Sequence, residues 1–394
     1  MKRIISIVLI SLTVLSISGN YAAAALEMIA ANGEATSDYA VRVYFDDPQT
    51  RRKLMITFEP LEADADKDYV VVEVDEQQQQ RLENLGLRVE PDATFTDLIQ
   101  NPVLVQRSSQ AAAAGGIPGF ACFRTVEETF ATAQSIATNY PTLATWSDVG
   151  DSWEKTNGLG GYDMQVLKLT NSAIPGPKPK AFITSSIHAR EYAPAELMTR
   201  LAEHLVSQYG IDADITWILD HHETHLMLHA NPDGRKQAET GILWRKNTNQ
   251  NYCGTTSTSR GADLNRNFDF EWDCCGGSSN NQCNNTYHGS GPASEPETQA
   301  IQNYLLNEFV DNRGPNSNDA APANTTGLYL DIHSHGELIL WPWGSTNTVA
   351  PNGPALQTLG RKLAYANGHI PEQAIGLYPT DGTTDDFAYG GLGL

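Results

Sequence analysis

Positive charge is scarce in this sequence: 26 Lys and Arg stand against 47 Asp and Glu, a formal net charge of −21. An acidic body repels nucleic acid and anionic membrane surfaces, which argues against both as partners. Long apolar runs are scarce too. Residues 4–17 form one, too short to span a bilayer comfortably, and no later stretch is long enough. Met1-Lys2-Arg3 precedes it and Ala22-Ala23-Ala24-Ala25 follows, so residues 1–25 read as a signal peptide cleaved near Ala24. The expected location is therefore secreted, extracellular or periplasmic, with no membrane contact after cleavage. Cysteine is limited to Cys122, Cys253, Cys274, Cys275 and Cys283. In an exported chain these point to disulfides rather than metal thiolates. Adjacent Cys274 and Cys275 are not expected to bridge each other, because neighbouring Cα atoms sit too close for relaxed geometry. An odd count leaves at least one cysteine unpaired. No internal repeat is found.

The chain of 394 residues is too long for one compact domain. Residues 26–100 combine a β-branched run at 69–74, a polar helix candidate at 76–85 and another apolar stretch at 87–89. That order suggests a small α+β unit, and no catalytic constellation lies in it. Residues 101–117 contain a run of small residues, Ser108 to Gly116, that reads as an exposed linker. A small domain, a joint and a large domain suit a proenzyme, although an ordinary accessory domain has the same outline. Residues 118–394 alternate helix candidates (126–139, 195–208, 297–309) with strand candidates (164–169, 181–186, 225–229, 328–332). The class is α/β, with a mostly buried central sheet. Leu197, Leu201 and Leu205 are expected to line the buried stripe of the second helix.

His188-Ala189-Arg190-Glu191 directly follows one of these strands and precedes a helix, at the strand end where α/β sheets place ligands. An imidazole and a carboxylate three residues apart can both turn towards one metal, and catalytic zinc takes three protein ligands plus water. H-x-x-E alone is a weak signal, so a third ligand is required. His333, in Asp331-Ile332-His333-Ser334-His335, offers one at another strand end. The competing cluster His221-His222-Glu223-Thr224-His225 lacks the H-E-x-x-H spacing that puts two imidazoles on one helical face, and reads as a polar element boundary. Asn265 and Arg266 pair an amide with a guanidinium fork, a combination suited to a free carboxylate. Asp263, two residues before, is placed to orient a metal-bound imidazole through its second nitrogen.

These segments occur in a telling order: His188-Ala189-Arg190-Glu191, Asn231-Pro232-Asp233-Gly234, Trp244-Arg245-Lys246, Asp263-Leu264-Asn265-Arg266-Asn267, Thr286-Tyr287-His288-Gly289 and Ile332-His333-Ser334. From about residue 120 onwards the chain resembles zinc metallocarboxypeptidases of the A/B/T type, and residues 26–100 resemble that family's activation segment. The resemblance implies a metallocarboxypeptidase-like central mixed sheet flanked by helices, preceded by a small α+β activation domain. It implies one Zn²⁺ on His188, Glu191 and His333, with Arg245 polarising the scissile carbonyl. Asn265 and Arg266 would grip the substrate's terminal carboxylate, Arg190 would serve a secondary subsite, and Tyr378 would close over the bound end. It also suggests a Cys253–Cys283 disulfide. The implied substrates are peptide or protein C-termini, and the implied inhibitor is the chain's own amino-terminal pro segment. Asp385 falls where relatives favouring Lys or Arg carry aspartate, which implies a basic or mixed preference; alternatively, the doubled aspartate shifts the match by one and Asp386 only supports the loop.

One departure stands out. The family's general base is a glutamate roughly two dozen residues beyond the mobile tyrosine, and no glutamate follows Glu372 here. The expectation is a chain truncated at its carboxyl end, lacking the last strand, the last helix and the base. A secreted inactive pseudoenzyme binding zinc or peptides, or a zinc peptidase acting on cell-wall peptides, are the alternatives.

Overall fold

The computed structural model describes residues 39–47, 50, 51, 54, 58, 60–64, 67–100, 115–314, 316, 318–334, 336–376 and 379–394. The proposed signal peptide, most of the linker, His335 and Tyr378 lie outside them. The chain divides into two compact units at residues 102/103.

In the first unit, strands β1 (Tyr39–Tyr44), β2 (Glu62–Asp64), β3 (Tyr69–Val74) and β4 (Val89–Pro91) form an antiparallel sheet in the order β2-β3-β1-β4. Side chains alternate across a strand. Val41, Val43, Val70 and Val72 accordingly join one core with Leu54 and Leu82, while Ala40 and Val71 face Phe95 and Ile99 on the other side. The helix Glu76–Asn84 starts on a reciprocal cap: the Asp75 carboxylate accepts from the Gln78 N–H, and the Asp75 N–H donates to Gln78 Oε1. This unit is α+β, as its residue order predicts.

The second unit is α/β. Its mixed sheet contains β5 (Ala144–Asp151), β6 (Asp163–Leu169), β7 (Lys180–Ser185), β8 (Glu223–Met227) and β9 (Gly327–Ile332), ordered β5-β6-β8-β7-β9. The β5/β6 and β6/β8 pairs are antiparallel; β7 runs parallel to both β8 and β9. Both faces are covered. Phe182 points into a core with Leu264, Ile301, Leu305 and Phe387, whereas its neighbour Ile183 joins Ala133, Ala202, Leu205 and Leu226 on the other face. Two parallel strands, β10 (Leu338–Trp341) and β11 (Ile370–Gln373), form a separate pair.

The helix expected at 195–208 begins earlier, at Tyr192, because Pro194 is tolerated in a first turn. Its buried stripe runs through Ala195, Met198, Ala202, Leu205 and Val206, and Leu197 is 56% exposed. Leu205 is buried and Leu201 packs against the same core, so of the three leucines expected in the stripe only Leu197 falls outside it. The helices Ala213–His221, Gly353–Asn367 and Thr384–Leu392 are not among the sequence-based expectations. Cys253 and Cys283 are disulfide-bonded and Cys122 is free. Cys274 and Cys275 also pair, contrary to the sequence-based expectation. They lie in a loop where Glu271, Asp273 and Gly276 adopt left-handed backbone.

Candidate metal centre

Strand register brings the distant histidines together. Ser185, the last residue of β7, pairs with Ile332, the last residue of β9. Because the two strands are adjacent and parallel, the loops carrying His188 and His333 leave the sheet side by side. Ser186 adopts φ 56°, a left-handed conformation that costs a non-glycine residue about 1–3 kcal/mol. It ends the strand, sends Ile187 into the core and frees the next residue to face the sheet's end. The Glu191 N–H then donates to the His188 carbonyl at 3.2 Å. Glu191 stands at the N-cap of the helix Tyr192–Gln208, yet its carboxylate makes no cap bond.

That carboxylate points at the imidazoles instead. His188 Nδ1 lies 2.7 Å from Glu191 Oε1, His333 Nδ1 lies 3.2 Å from Glu191 Oε2, and the two Nδ1 atoms are 3.2 Å apart. The Ser334 N–H donates to Oε2 at 3.0 Å. Burial raises the Glu191 carboxyl pKa, but His188 and His333 outweigh it and hold the group well below its ordinary value. Three donor atoms thus converge on one point, two of them imidazole nitrogens facing each other. A tetrahedral zinc with bonds of about 2.0–2.1 Å separates its ligands by roughly 3.3 Å, so this donor set fits zinc in type and spacing.

The outward nitrogens are committed elsewhere. His188 Nε2 sits 3.2 Å from Asp263 Oδ1, and His333 Nε2 sits 2.9 Å from Asp331 Oδ2. Asp263 is fully buried and also accepts from Arg245, through Nη2 at 2.8 Å and Nε at 3.2 Å, and from the Asn265 N–H at 3.0 Å. Burial alone raises its pKa; Arg245 and His188 outweigh that and hold Asp263 ionised. Asn265 Nδ2 is 3.4 Å from His333 Nε2, so the expected carboxylate-binding amide borders the metal centre. Arg266 is buried, with its Nε donating to the Gly277 carbonyl at 2.9 Å. Arg190 is half-buried nearby in sequence. Asp385 is half-buried too, whereas Asp386 is fully buried and accepts from the Gly344 and Ser345 N–H groups. Of the doubled aspartates, Asp386 is the loop support.

Several contributors escaped the sequence reading. The Asn231 amide donates to the carbonyls of Ile187 and Lys246 and accepts from the Gly234 N–H, stapling the His188 and Arg245 loops together. A Cβ at Gly234 would meet the Lys246 carbonyl oxygen at 2.5 Å, which explains the glycine. Arg235, fully buried, donates to the Glu191 carbonyl at 2.9 Å and lies over the Tyr192 ring. The Asn-Pro-Asp-Gly-Arg run was the available signal. The polar boundary at 221–225 sits at the opposite end of the sheet, where Glu223 opens β8. Glu223, His225 and Glu308 gather there, but Glu308 is paired with Lys180 at 2.7 Å and His225 Nδ1 with the Tyr304 hydroxyl at 2.6 Å.

Comparison with known proteins agrees with this geometry. The sequence profile described as "Zinc carboxypeptidase" matches residues 130–394. The chain is 31% identical over 360 residues to a zinc carboxypeptidase of Saccharothrix mutabilis subsp. capreolus, covering 87% of this chain and 76% of that protein. It is 32% identical over 276 residues to carboxypeptidase B of Astacus astacus, covering 68% and 82%. The crystal structure of carboxypeptidase A from Helicoverpa armigera shares the fold, with a TM-score of 0.67 at 23% identity over 90% of this chain and 86% of that one. With the profile spanning well over half of the chain, this protein belongs to the zinc carboxypeptidase family.

Proposed function

We propose that this protein binds the carboxyl end of a peptide beside a zinc ion and takes part in zinc-dependent release of the terminal residue, with a preference for basic or mixed side chains. The observation that carries the proposal is the convergence of His188, Glu191 and His333 between two parallel strand ends, with the Asn265 amide 3.4 Å from His333. When bound, zinc supplies Lewis-acid polarisation and an acidified water. The chain's own residues do the rest. Glu191 and the two Nδ1 atoms hold the metal, and Asp263 keeps the His188 ring in the right tautomer while bracing Arg245. Arg245 is assigned to the developing oxyanion, where a fixed cation is worth most. Asn265 and Arg266 bind the terminal carboxylate, with Arg190 and Tyr378 assigned to the substrate's approach and closure. Asp385, the more open of the paired aspartates, is assigned to a basic terminal side chain. No glutamate follows Glu372, and the general base is not assigned to a residue of this sequence. We also assign residues 1–25 to export and residues 26–100 to a pro segment that inhibits the enzyme, readings supported by the apolar leader and the small unit's separate core.

Binding tests the proposal independently of turnover. Calorimetry with zinc-loaded protein should show a peptide ending in Lys binding at least about tenfold more tightly than its C-terminal amide, since a charge-assisted hydrogen bond contributes about 1.5–3 kcal/mol. Arg266→Ala should abolish that difference, and Asp385→Asn should remove the advantage of Lys over Leu. Equal binding of acid and amide by the unaltered protein would refute the assignment.

A further inference from the structure

Asp331 stands two residues before His333, and its surroundings give it a task. It lies at the end of β9, with its side chain 5% exposed and Oδ2 at 2.9 Å from His333 Nε2. Its other oxygen accepts from the Thr184 hydroxyl at 2.7 Å, and Thr384 Oγ1 donates to Oδ2 at 3.2 Å. Tyr329 lies 2.7 Å from Thr184 Oγ1 and completes the chain of hydroxyls. Both carboxylate oxygens are engaged, Oδ2 from two sides, and an ionised carboxylate only accepts.

We propose that Asp331 is a positioning residue that locks His333 in the Nε2–H tautomer, leaving Nδ1 for the metal and the Asn265 amide for the substrate. A neutral imidazole carries one N–H, and the bond made by one nitrogen decides which nitrogen has it. With the proton on Nε2, the Nδ1 lone pair faces Glu191 and His188. Asn265 Nδ2, 3.4 Å from that same Nε2, then meets a donor and forms no bond to it. The amide's orientation is fixed independently, because its Oδ1 accepts from the Thr384 N–H at 2.9 Å. Without Asp331, Nε2 can accept from Asn265 instead. That exchange moves the ring proton to Nδ1, where it blocks metal binding, and it ties up the amide that would meet the peptide's end. One carboxylate thus serves two sites.

This inference rests on His333 being a zinc ligand, and its test keeps the two apart. Zinc affinity is measured on metal-free protein by competition with a chromophoric chelator, for the unaltered chain, Asp331→Ala, Asp331→Asn and His333→Ala. Asp331→Ala should weaken zinc about 10–100-fold, as is usual for the loss of an outer-shell partner, and Asp331→Asn should fall between, since its amide oxygen can still accept. If Asp331→Ala does not fold, Asp331→Asn carries the comparison. Nitrogen NMR of histidine-labelled protein should show His333 as Nε2–H in the unaltered chain and as mixed tautomers in the variants. Asp331 variants within twofold of the unaltered affinity, with the tautomer kept, would overturn the proposal. Undiminished zinc binding in His333→Ala would instead overturn the ligand assignment beneath it.

Discussion

The most informative perturbation is at the Asp263–Arg245 pair. Asp263 is fully buried, the Arg245 side chain is 3% exposed, and two guanidinium nitrogens donate to one carboxylate oxygen at 2.8 and 3.2 Å. The other oxygen faces His188 Nε2 and the Asn265 N–H. Asp263→Asn removes the carboxylate charge from a buried ion pair, and breaking such a pair costs about 3–5 kcal/mol. Arg245→Met strands the carboxylate, though His188 and the Asn265 N–H still support it, so its cost should be smaller. The double variant should be less destabilised than the two single effects added, by about 0.5–3 kcal/mol, the range for directly contacting partners. Urea unfolding of the metal-free proteins at pH 7 measures all four corners of this cycle. Zinc titration then separates the roles: Asp263→Asn should weaken zinc about 10–100-fold through His188, while Arg245→Met should leave it nearly unchanged. Additivity within about 0.5 kcal/mol, or equal zinc losses in both variants, would refute the picture of one carboxylate serving metal and arginine together.

Burial, helped by Asp233 and Glu295, pushes the Glu297 carboxyl from 4.5 up to about 8. Between those values the folded protein keeps a proton that the unfolded chain releases, so stability falls as pH rises, by up to about 1.4 kcal/mol per unit. Glu297→Gln should flatten that decline in urea midpoints between pH 5 and 8, and an unchanged slope would contradict it. Cys253 and Cys283 are 30 residues apart, and replacing both by serine should cost about 3–4 kcal/mol of unfolding free energy. Replacing the adjacent Cys274 and Cys275 should change it by less than about 0.5 kcal/mol, because their bond closes no loop; a comparable loss from both pairs would overturn this reasoning.

The three candidate ligands were legible because their chemistry is compressed into short segments at strand ends. His188 and Glu191 are three residues apart, and His333 follows an apolar run. What brings them together is the register of β7 against β9, and periodicity along one strand carries no information about its partner. Polar residues were the hardest to read. Asn231, Arg235 and Asp331 look like surface residues by type, yet the first two are buried and the Asp331 side chain is 5% exposed, because a convergent loop cluster must satisfy its backbone carbonyls and imidazole nitrogens. The doubled aspartate at 385 and 386 was ambiguous for a similar reason: only the loop at Gly344 and Ser345 distinguishes the supporting carboxylate from the more open one. The small helix-forming stretches at 213–221 and 384–392 have weak amphipathic patterns, and packing decides them.

Zinc stoichiometry is the most direct test of the central claim. Protein dialysed against zinc and then against buffer should retain one ion per chain by elemental analysis, and His188→Ala, Glu191→Ala and His333→Ala should each retain far less. One equivalent kept undiminished after His188 and His333 are both replaced would show that these three side chains do not form the metal centre.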